Sequence, residues 1–364
     1  MKIAHITSVH PQNDNRIFYK ECTSLANAGY DVTLIVAGGD TKTVNGVKIV
    51  GFKKAQGGRL KRMVKTSLLD MLKVCKEIDA DIYHFHDPEL MIVGLYLKMM
   101  GKKVVYDIHE NNPASILSKP YIKSVFLKKI ISFTLDKFEL FASKFFDALV
   151  TARPDISARF EHKNLITLRN FPILPDFLKM KEIDIEKTKP SVIFVGGMTQ
   201  IRGINELLDA FEMLDDYELW LLGPITEEKL KQRILSGCKN VKYFGIVEAY
   251  EVFSYIKKAD IGIITFLPVP NHLHTLATKP FEYMACGKPM IMSNFEYWRE
   301  TFKESSLYVD PSNPKDIAKT VNYLMKNKNL AKKMGELNQK LAKEEYNWQK
   351  ESQKLLDLYK RLEK

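Results

Sequence analysis

One segment decides the fold of this chain, Lys279-Pro280-Phe281-Glu282-Tyr283-Met284-Ala285-Cys286-Gly287-Lys288-Pro289. It lies between two strand-like runs, Asp260–Pro268 and Lys288–Ser293, and predicts a loop followed by a short helix with Glu282 in its first turn. Unpaired N–H groups of the loop and of the helix N-terminus can bind a diphosphate, and Glu282 can accept hydrogen bonds from two ribose hydroxyls. The segment is typical of a nucleotide-sugar site, while an exposed glutamate on a connecting helix is the plainer alternative.

Strand-like and helix-like segments alternate along the rest of the chain, which predicts parallel βαβ units. The predicted strands of the first half are Lys2–Val9, Asp31–Ala37, Val47–Phe52, Asp81–His86, Lys103–His109, Ala148–Ala152 and Leu165–Leu168. Those of the second half are Ser191–Val195, Glu218–Leu222, Val241–Phe244, Asp260–Thr265 and Pro289–Met292. The pattern restarts after a proline-containing stretch, so we predict an α/β protein with two Rossmann-like parallel-sheet domains, residues 1–172 and 191–345, joined by a linker, 173–190.

Composition narrows the class of protein. With 364 residues the chain is long for one hydrophobic core, and 45% hydrophobic and 27% charged residues are typical of a globular protein. The four cysteines have no C-x-x-C spacing and predict buried thiols in a reducing compartment. No signal peptide and no apolar run of about 18 residues is recognised, so we expect a cytoplasmic protein.

The net charge of +11 is compatible with nucleic acid, an anionic membrane surface or an anionic substrate. Zinc-finger spacing, heptads behind a basic region and a basic stripe with stacked aromatic residues are not found, so we predict that nucleic acid is not a partner. One basic tract runs from Lys119 to Lys144 and interleaves lysines with Phe126, Ile130 and Phe133. It predicts either a helix at an anionic membrane surface, on its inner face, or a solvated helix face over a core-facing stripe.

Polar, glycine and histidine residues cluster where the predicted strands end, which is where open α/β sheets bind ligands. Several of these clusters resemble the retaining GT-B glycosyltransferases of family 4. The resemblance is carried by Ser8-Val9-His10-Pro11 with Asp14-Asn15-Arg16, by His84-Phe85-His86-Asp87, by Asp107-Ile108-His109-Glu110, by Gly196-Gly197-Met198 with Arg202-Gly203-Ile204, and by Phe281–Pro289. These motifs follow one another in the family's order along essentially the whole chain.

The resemblance implies a GT-B fold, with two domains facing a central cleft and a C-terminal helix, 346–364, packing back on the first domain. It implies a nucleoside-diphosphate sugar as donor and a saccharide or lipid-linked acceptor, with no cofactor and no metal. The implied catalytic residues are His109, Arg202 and Glu282. The implied donor-binding residues are Gly197, Arg202, Lys279, Glu282, His274, Leu276, Ala277 and Thr278. The implied acceptor or loop contacts are Asp14, Asn15, Arg16 and His86.

Two positions depart from the family pattern. His274 stands where the family often has a glutamate that contacts the transferred sugar, so the identity of the sugar stays open. Gly197 takes the place of an arginine in the phosphate loop, and Arg202 takes that of the lysine, so one of the two usual cations is kept. A guanidinium here can bridge phosphate oxygens and stabilise the charge that develops on the departing diphosphate.

Each of the other candidates has a structural alternative. Arg202 can be a surface residue of a helix N-terminus, and His109 can be a strand-end histidine bonded to backbone. His84 and His86 lie on one face of a strand and can bind a metal, contact the acceptor or simply pack. Lys279 can reach a phosphate or pair with Glu282 one helical turn away.

The resemblance therefore implies a metal-independent retaining glycosyltransferase, expected in the synthesis of cell-surface polysaccharide. Two alternatives stay open, a nucleotide-sugar epimerase of the same fold and a non-catalytic subunit that binds a sugar nucleotide. A dehydrogenase is disfavoured, because no G-x-G-x-x-G follows the first strand.

Overall fold

The computed structural model describes residues 1–117, 119, 122–175, 183–248, 251–273 and 275–364, without the side chains of residues 59, 60 and 271. The chain divides into two units. The first contains Met1–Asn170 and Trp348–Lys364, and the second contains Phe171–Asn347. Phe171, which the predicted boundary places in the first domain, packs in the second unit, its ring centroid 4.7 Å from that of Phe281.

The first unit is built on one sheet with the strand order β3-β4-β2-β1-β5-β6-β7-β8. All neighbours are parallel except the β3–β4 pair at one edge, which is antiparallel. In chain order the strands are β1 (Lys2–Thr7), β2 (Asp31–Ala37), β3 (Lys42–Val44), β4 (Val47–Phe52), β5 (Ile82–Phe85), β6 (Lys103–Ile108), β7 (Ala148–Thr151) and β8 (Leu165–Thr167).

Helices cover both faces of this sheet. They are α1 (Thr23–Asn27), α2 (Arg59–Arg62), α3 (Met71–Ile78), α4 (Met91–Met99), α5 (Asn112–Leu117), α6 (Val125–Ser143) and α7 (Pro154–Ser157). Two further segments, Asn15–Cys22 and Met63–Asp70, are π-helical, and Pro88–Leu90 is a 3₁₀ turn. The C-terminal helix Trp348–Glu363 belongs to this unit and buries five apolar side chains in its core, Trp348, Leu355, Leu358, Tyr359 and Leu362.

The second unit has a fully parallel sheet with the strand order β11-β10-β9-β12-β13-β14. Its strands are β9 (Ser191–Val195), β10 (Glu218–Leu222), β11 (Val241–Tyr243), β12 (Ile261–Ile264), β13 (Met290–Ser293) and β14 (Leu307–Val309). Its helices are α8 (Ile204–Glu212), α9 (Glu228–Leu235), α10 (Val252–Lys258), α11 (Pro270–Leu273), α12 (Lys279–Ala285), α13 (Glu296–Phe302), α14 (Pro314–Lys326) and α15 (Lys328–Glu344), so the C-terminal helix named above is α16. Gln200–Arg202 and Lys303–Ser305 are 3₁₀ turns.

Burial explains why the sequences of these strands are continuous apolar runs. All residues of β9, β10, β12 and β13 are buried, since helices pack on both faces of a parallel sheet. The predicted fold class, two parallel-sheet α/β units, is confirmed. None of the described helices is both long and apolar enough to cross a membrane. The predicted linker, 173–190, lies in part outside the described residues, which omit 176–182.

Candidate functional site

The strand order of the second unit creates a crevice of the kind that binds ligands in other α/β proteins. Starting from β9, the chain builds outward to β10 and β11 and then returns to place β12 on the other side of β9. The point where the order reverses leaves a crevice at the carboxyl ends of the two strands, and such crevices bind ligands in open α/β sheets. The loop after β9 carries Gly196–Gly203, and the loop after β12 begins at Thr265.

These two loops contact each other directly. The Leu267 N–H donates to the Ile201 carbonyl at 2.9 Å, and the Arg202 guanidinium lies over the Phe266 ring at 5.4 Å. Gly203 has φ +69°, and a Cβ built on it would lie 1.8 Å from the Thr265 carbonyl oxygen. Only glycine allows this close approach, so Gly203 sets the position of the residue before it.

Arg202 is half-buried and donates from Nη1 to the Gly197 carbonyl at 2.8 Å. Burial lowers the pKa of its guanidinium from the usual value. Among the described residues no carboxylate lies within 4 Å of it. A cation without an internal counter-charge, held beside a glycine loop at the switch point, is suited to a bound phosphate.

Glu282 lies in the first turn of α12 and is paired with Lys279. The Lys279 Nζ lies 2.7 Å from both carboxylate oxygens, and the side chains are 12% and 27% exposed for Glu282 and Lys279 respectively. The helix is fixed to the switch point by Tyr283, whose hydroxyl accepts from the Val195 N–H at 3.0 Å. The pair with Glu282 is one of the two contacts predicted for Lys279.

The segment before α12 is anchored by its apolar residues. Leu276 and Ala277 pack against the core of the second unit, and Thr278 is exposed at the N-cap of α12. The carbonyl of Thr275 accepts from the Trp298 indole at 2.7 Å. His274, predicted to contact the donor, lies outside the described residues, so that prediction stays one of sequence.

In the first unit the order reverses between β1 and β5, and Asp87 joins the two strand ends. Its carboxylate accepts from the Ser8 N–H at 2.6 Å and from the Thr7 hydroxyl at 2.8 Å, and it lies 2.9 Å from His10 Nδ1. Burial would raise the pKa of Asp87, but these contacts outweigh it and lower the pKa to about 2. The His10 ring lies 5.1 Å from that of His109.

Asp107, on β6, is the centre of a buried cluster to which the predicted residues Arg16, His86 and His109 all belong. Arg16 donates to both carboxylate oxygens, at 2.9 and 2.8 Å. His86 Nδ1 and His109 Nε2 lie 3.1 and 2.7 Å from Oδ2. The His109 side chain is 21% exposed, whereas those of Arg16 and His86 are 6% and 0% exposed.

The four residues predicted as acceptor or loop contacts differ in how deeply they are buried. Arg16 and His86 are buried against Asp107, the carboxylate that also contacts His109, and His86 Nδ1 lies 3.3 Å from His109 Nε2. Asn15 is exposed, and Asp14 caps the helix that follows by accepting from the Arg16 and Ile17 N–H groups at 2.8 and 2.9 Å. His109, with one nitrogen on a carboxylate and an exposed edge, is the member of the cluster that a substrate can reach.

A second layer of polar groups lies beneath Asp107. His5 Nδ1 lies 2.9 Å from His86 Nε2, and His84 Nδ1 lies 2.9 Å from the Tyr359 hydroxyl. Glu21 is fully buried, with its Oε1 3.0 Å from Arg16 Nε. Tyr359 belongs to α16, so the C-terminal helix completes the cluster.

One ion pair carries the charge of this cluster. Burial would raise the pKa of Asp107, but Arg16 and His109 outweigh burial and hold the pKa well below its usual range. Burial, together with the charge of Asp107, raises the pKa of Glu21 well above its usual value. Burial lowers the pKa of His5 and His84 well below 6.5 and that of His86 to about 4. Arg16 and Asp107 therefore form the charged pair of this cluster, and His5, His84 and His86 are neutral at neutral pH.

The donor set of Glu21, His84, His86 and Asp107 has the composition of a metal site, with ligand atoms all within 4.8 Å of one another. However, the Arg16 guanidinium pairs with Asp107 and reaches Glu21, so a fixed positive charge already occupies this place. The residues present therefore do not fit an additional cation.

Asp107, Glu21, His5 and Asp87 were not predicted as functional residues. Asp107 and Asp87 stood inside quoted motifs, and the signal for Asp107 was a carboxylate two residues before His109 on a buried strand, hence on the same face. Glu21 and His5 gave no comparable signal.

The chain resembles known proteins in sequence and in fold. Residues 176–341 match the family model for glycosyl transferases group 1, and residues 15–172 match that for glycosyltransferase family 4. In structure, the sucrose-phosphate synthase of Thermosynechococcus elongatus is similar with a TM-score of 0.74 and 15% identity. The match covers 99% of this chain and 98% of the synthase chain. The Anabaena protein HepE, in complex with UDP-glucose, is similar with a TM-score of 0.71 and 13% identity. The match covers 100% of this chain and 99% of the HepE chain.

Fold and switch-point geometry thus define the chain as a GT-B protein. The two family models cover most of both units, and the chain belongs to the group 1 glycosyltransferases. In sequence, an uncharacterized glycosyltransferase of Methanocaldococcus jannaschii is 26% identical over 165 residues, which is 43% of this chain and 44% of that protein. The chain matches about half the length of its curated relatives.

Proposed function

We propose that this glycosyltransferase transfers a sugar from a nucleoside-diphosphate sugar to a saccharide or lipid-linked acceptor, with retention of anomeric configuration and without a metal. The observation that carries the proposal is the half-buried Arg202, which has no carboxylate partner among the described residues and is held over the glycine loop at the switch point of the second unit. HepE, a structural neighbour, is described in complex with UDP-glucose, which supports a UDP-sugar as the first donor to test.

In this proposal the second unit binds the donor. Arg202 contacts the diphosphate and stabilises the charge that develops on the leaving phosphate, which lowers the barrier because the interaction is strongest in the transition state. Glu282 accepts hydrogen bonds from the ribose, and Lys279, freed from that pair, reaches the phosphates. Arg202 thus supplies the positive charge that a metal ion would otherwise provide.

In the first unit His109 contacts the reacting sugar or the acceptor hydroxyl. Its Nε2 lies 2.7 Å from the Asp107 carboxylate, so an N–H on that nitrogen points at Asp107 and Nδ1 is left as an acceptor. An imidazole whose Nδ1 is an acceptor can accept a proton or a hydrogen bond from a hydroxyl.

The test of the donor assignment is a thermal-shift screen of UDP-, GDP- and ADP-sugars, because a bound donor raises the melting temperature by mass action. We expect one nucleotide class to stabilise the protein. If none does, the donor assignment is wrong. A mass-neutral conversion of donor without acceptor would identify an epimerase instead, and donor binding without any transfer would identify a non-catalytic subunit.

Two variants separate the roles of the donor residues. Glu282→Ala is expected to weaken donor binding by about tenfold, since one ribose contact is lost, with a smaller change in turnover. Arg202→Ala is expected to lower turnover by about 100-fold with a smaller change in affinity. Titration calorimetry and single-turnover kinetics measure both quantities. Unchanged kinetics in both variants would remove this assignment.

A lipid-linked acceptor is supported by the exposed surface of α6. Phe126, Ile130, Phe133 and Phe141 lie on one face of α6 and Phe145 follows its C-terminal end; they are 74, 44, 65, 57 and 50% exposed, and we call them the α6 stripe. Lysines border it, and Lys137 Nζ lies 5.4 Å from the Phe133 ring. Apolar side chains next to lysines on a solvent-facing helix are typical of binding at an anionic membrane. Inner-membrane contact and a role in cell-surface polysaccharide synthesis are part of the proposal.

The membrane contact predicts that the variant Phe126→Ser/Phe133→Ser binds vesicles more weakly. We expect a loss of at least about tenfold on phosphatidylglycerol-containing vesicles, because burying an aromatic side chain contributes about 1.5–3 kcal/mol. Cosedimentation measures this, with Ile246→Ser, at a residue 75% exposed in the second unit, as control. If the stripe variant changes the oligomeric state and not vesicle binding, the stripe contacts a second copy of the chain.

A further inference from the structure

A cavity of about 540 Å³ lies in the first unit where β4 ends, and neither the donor site nor His109 forms any part of it. Five lysines line it, Lys53, Lys54, Lys61, Lys65 and Lys73. Two carboxylates, Asp70 and Glu77, also line it, so positive charge is in excess. We call it the lysine cavity.

The lysines of this cavity are not paired with any carboxylate in the part of the chain that the structure describes. Within the described residues none of the five has a carboxylate within ion-pair distance, whereas elsewhere in the first unit Lys98 and Lys102 pair with Asp147 and Asp79 at 2.7 and 2.6 Å. Like charges that face one cavity repel one another, and a bound anion relieves that repulsion. The arrangement is therefore suited to a ligand with more than one negative charge.

Hydrogen bonds connect the lysine cavity to the strand ends near His109. The Ala55 N–H donates to the Thr66 hydroxyl at 2.8 Å, which holds the lysine-bearing loop on the helix Met63–Asp70. From the same helix, Ser67 donates to Glu89 at 2.5 Å. The Ser8 hydroxyl donates to that same Glu89 oxygen at 2.6 Å.

From Ser8 the connection continues to the strand ends. The Ser8 N–H bonds to Asp87, Asp87 pairs with His10, and the His10 ring lies beside that of His109. A continuous set of contacts therefore fixes the lysine cavity relative to the residue that we assign to the reacting sugar.

We propose that the lysine cavity binds a phosphate or pyrophosphate group carried by the acceptor; this rests on the proposed function. Lysine ammonium groups bind phosphate as point charges, and the volume is that of a ligand pocket rather than of a single ion site. Asp70 and Glu77 can accept hydrogen bonds from sugar hydroxyls next to the anion. The acceptor class is thus an anionic, phosphate-bearing saccharide, either soluble or attached to a polyprenyl lipid.

The proposal is tested by titrating inorganic pyrophosphate into the full chain at low salt with saturating UDP, which occupies the donor site. The variant Lys61→Gln/Lys65→Gln/Lys73→Gln is expected to bind pyrophosphate at least about tenfold more weakly, since charge-assisted hydrogen bonds are lost. The control, Lys315→Gln/Lys319→Gln/Lys333→Gln, removes the same charge from exposed lysines of the second unit. Equal affinity of the two variants for pyrophosphate would overturn the proposal.

The source of the phosphate is resolved by two further probes on the same variants. If the lysine variant loses binding only to phosphatidylcholine vesicles that contain a polyprenyl pyrophosphate, the cavity is assigned to a lipid-linked acceptor. If it loses binding only to glucose 1-phosphate, the cavity is assigned to a soluble acceptor. Unchanged binding of both probes counts against the site. UDP-sugar affinity is expected to be unchanged in the lysine variant. If no nucleotide binds even to the wild type, the proposed function fails, while the pyrophosphate titration still reports on the cavity.

Discussion

Replacement of Asp107 by asparagine is expected to destabilise the first unit by about 3 kcal/mol, because it leaves the Arg16 guanidinium buried without its counter-charge. Arg16 is 6% exposed and bonds to both oxygens of Asp107. Glu21 compensates in part, because the charge of Asp107 helps to hold its pKa high and ceases to act in the variant. Denaturant unfolding, with Asp155→Asn at an exposed ion pair as control, measures the loss.

The same variant is expected to lower sugar transfer by about 100-fold, since asparagine no longer fixes the His109 ring and small displacements of catalytic groups have effects of this size. A purely structural role is separated by a second substitution. Adding Arg16→Met to Asp107→Asn replaces the buried pair by neutral groups, so stability is expected to recover while activity stays low. If activity returned together with stability, Asp107 would have no part in positioning His109.

The elements that sequence reasoning placed correctly are those whose determinants are local. Apolar runs flanked by glycine gave β2, β4, β9 and β10 with their observed bounds, and the switch points follow from strand order. The short hairpin β3–β4 was missed although Asn45-Gly46, both with positive φ, carried a turn signal. β14 was missed because it has only three residues.

The polar cluster could not be predicted because its geometry depends on an unusual helix. Arg16 and Glu21 are five residues apart, a spacing that places two side chains on one face in a π-helix, whose hydrogen bonds join residues i and i+5, but not in an α-helix. The apolar residues from Arg16 to Ala28 have ordinary helical periodicity, which predicts an α-helix there. Tyr359 joins the same cluster from 275 positions after His84, a contact that only the tertiary fold reveals.

Gly203→Ala is the second substitution with a large expected effect, this time in the second unit. Two costs combine, because the backbone is left-handed at φ +69° and the new Cβ would lie 1.8 Å from the Thr265 carbonyl oxygen. The conformation costs about 1–2 kcal/mol and the overlap about 1–3 kcal/mol more. The loop after β9 must move away from the loop after β12, and Arg202 moves with it. Donor affinity and the free energy of unfolding are therefore both expected to fall.

Gly237→Ala separates the two costs. Gly237 also has a left-handed φ, +94°, but a Cβ there meets nothing within 4 Å, so it carries only the conformational part. We expect Gly203→Ala to cost about 2 kcal/mol more than this control and to be the only one of the two that weakens UDP-sugar binding. Hydrogen exchange of residues 191–347 locates the loss, and calorimetry measures the affinity. Equal effects of the two variants would mean that the contact with Thr265 does not hold the donor loop in place.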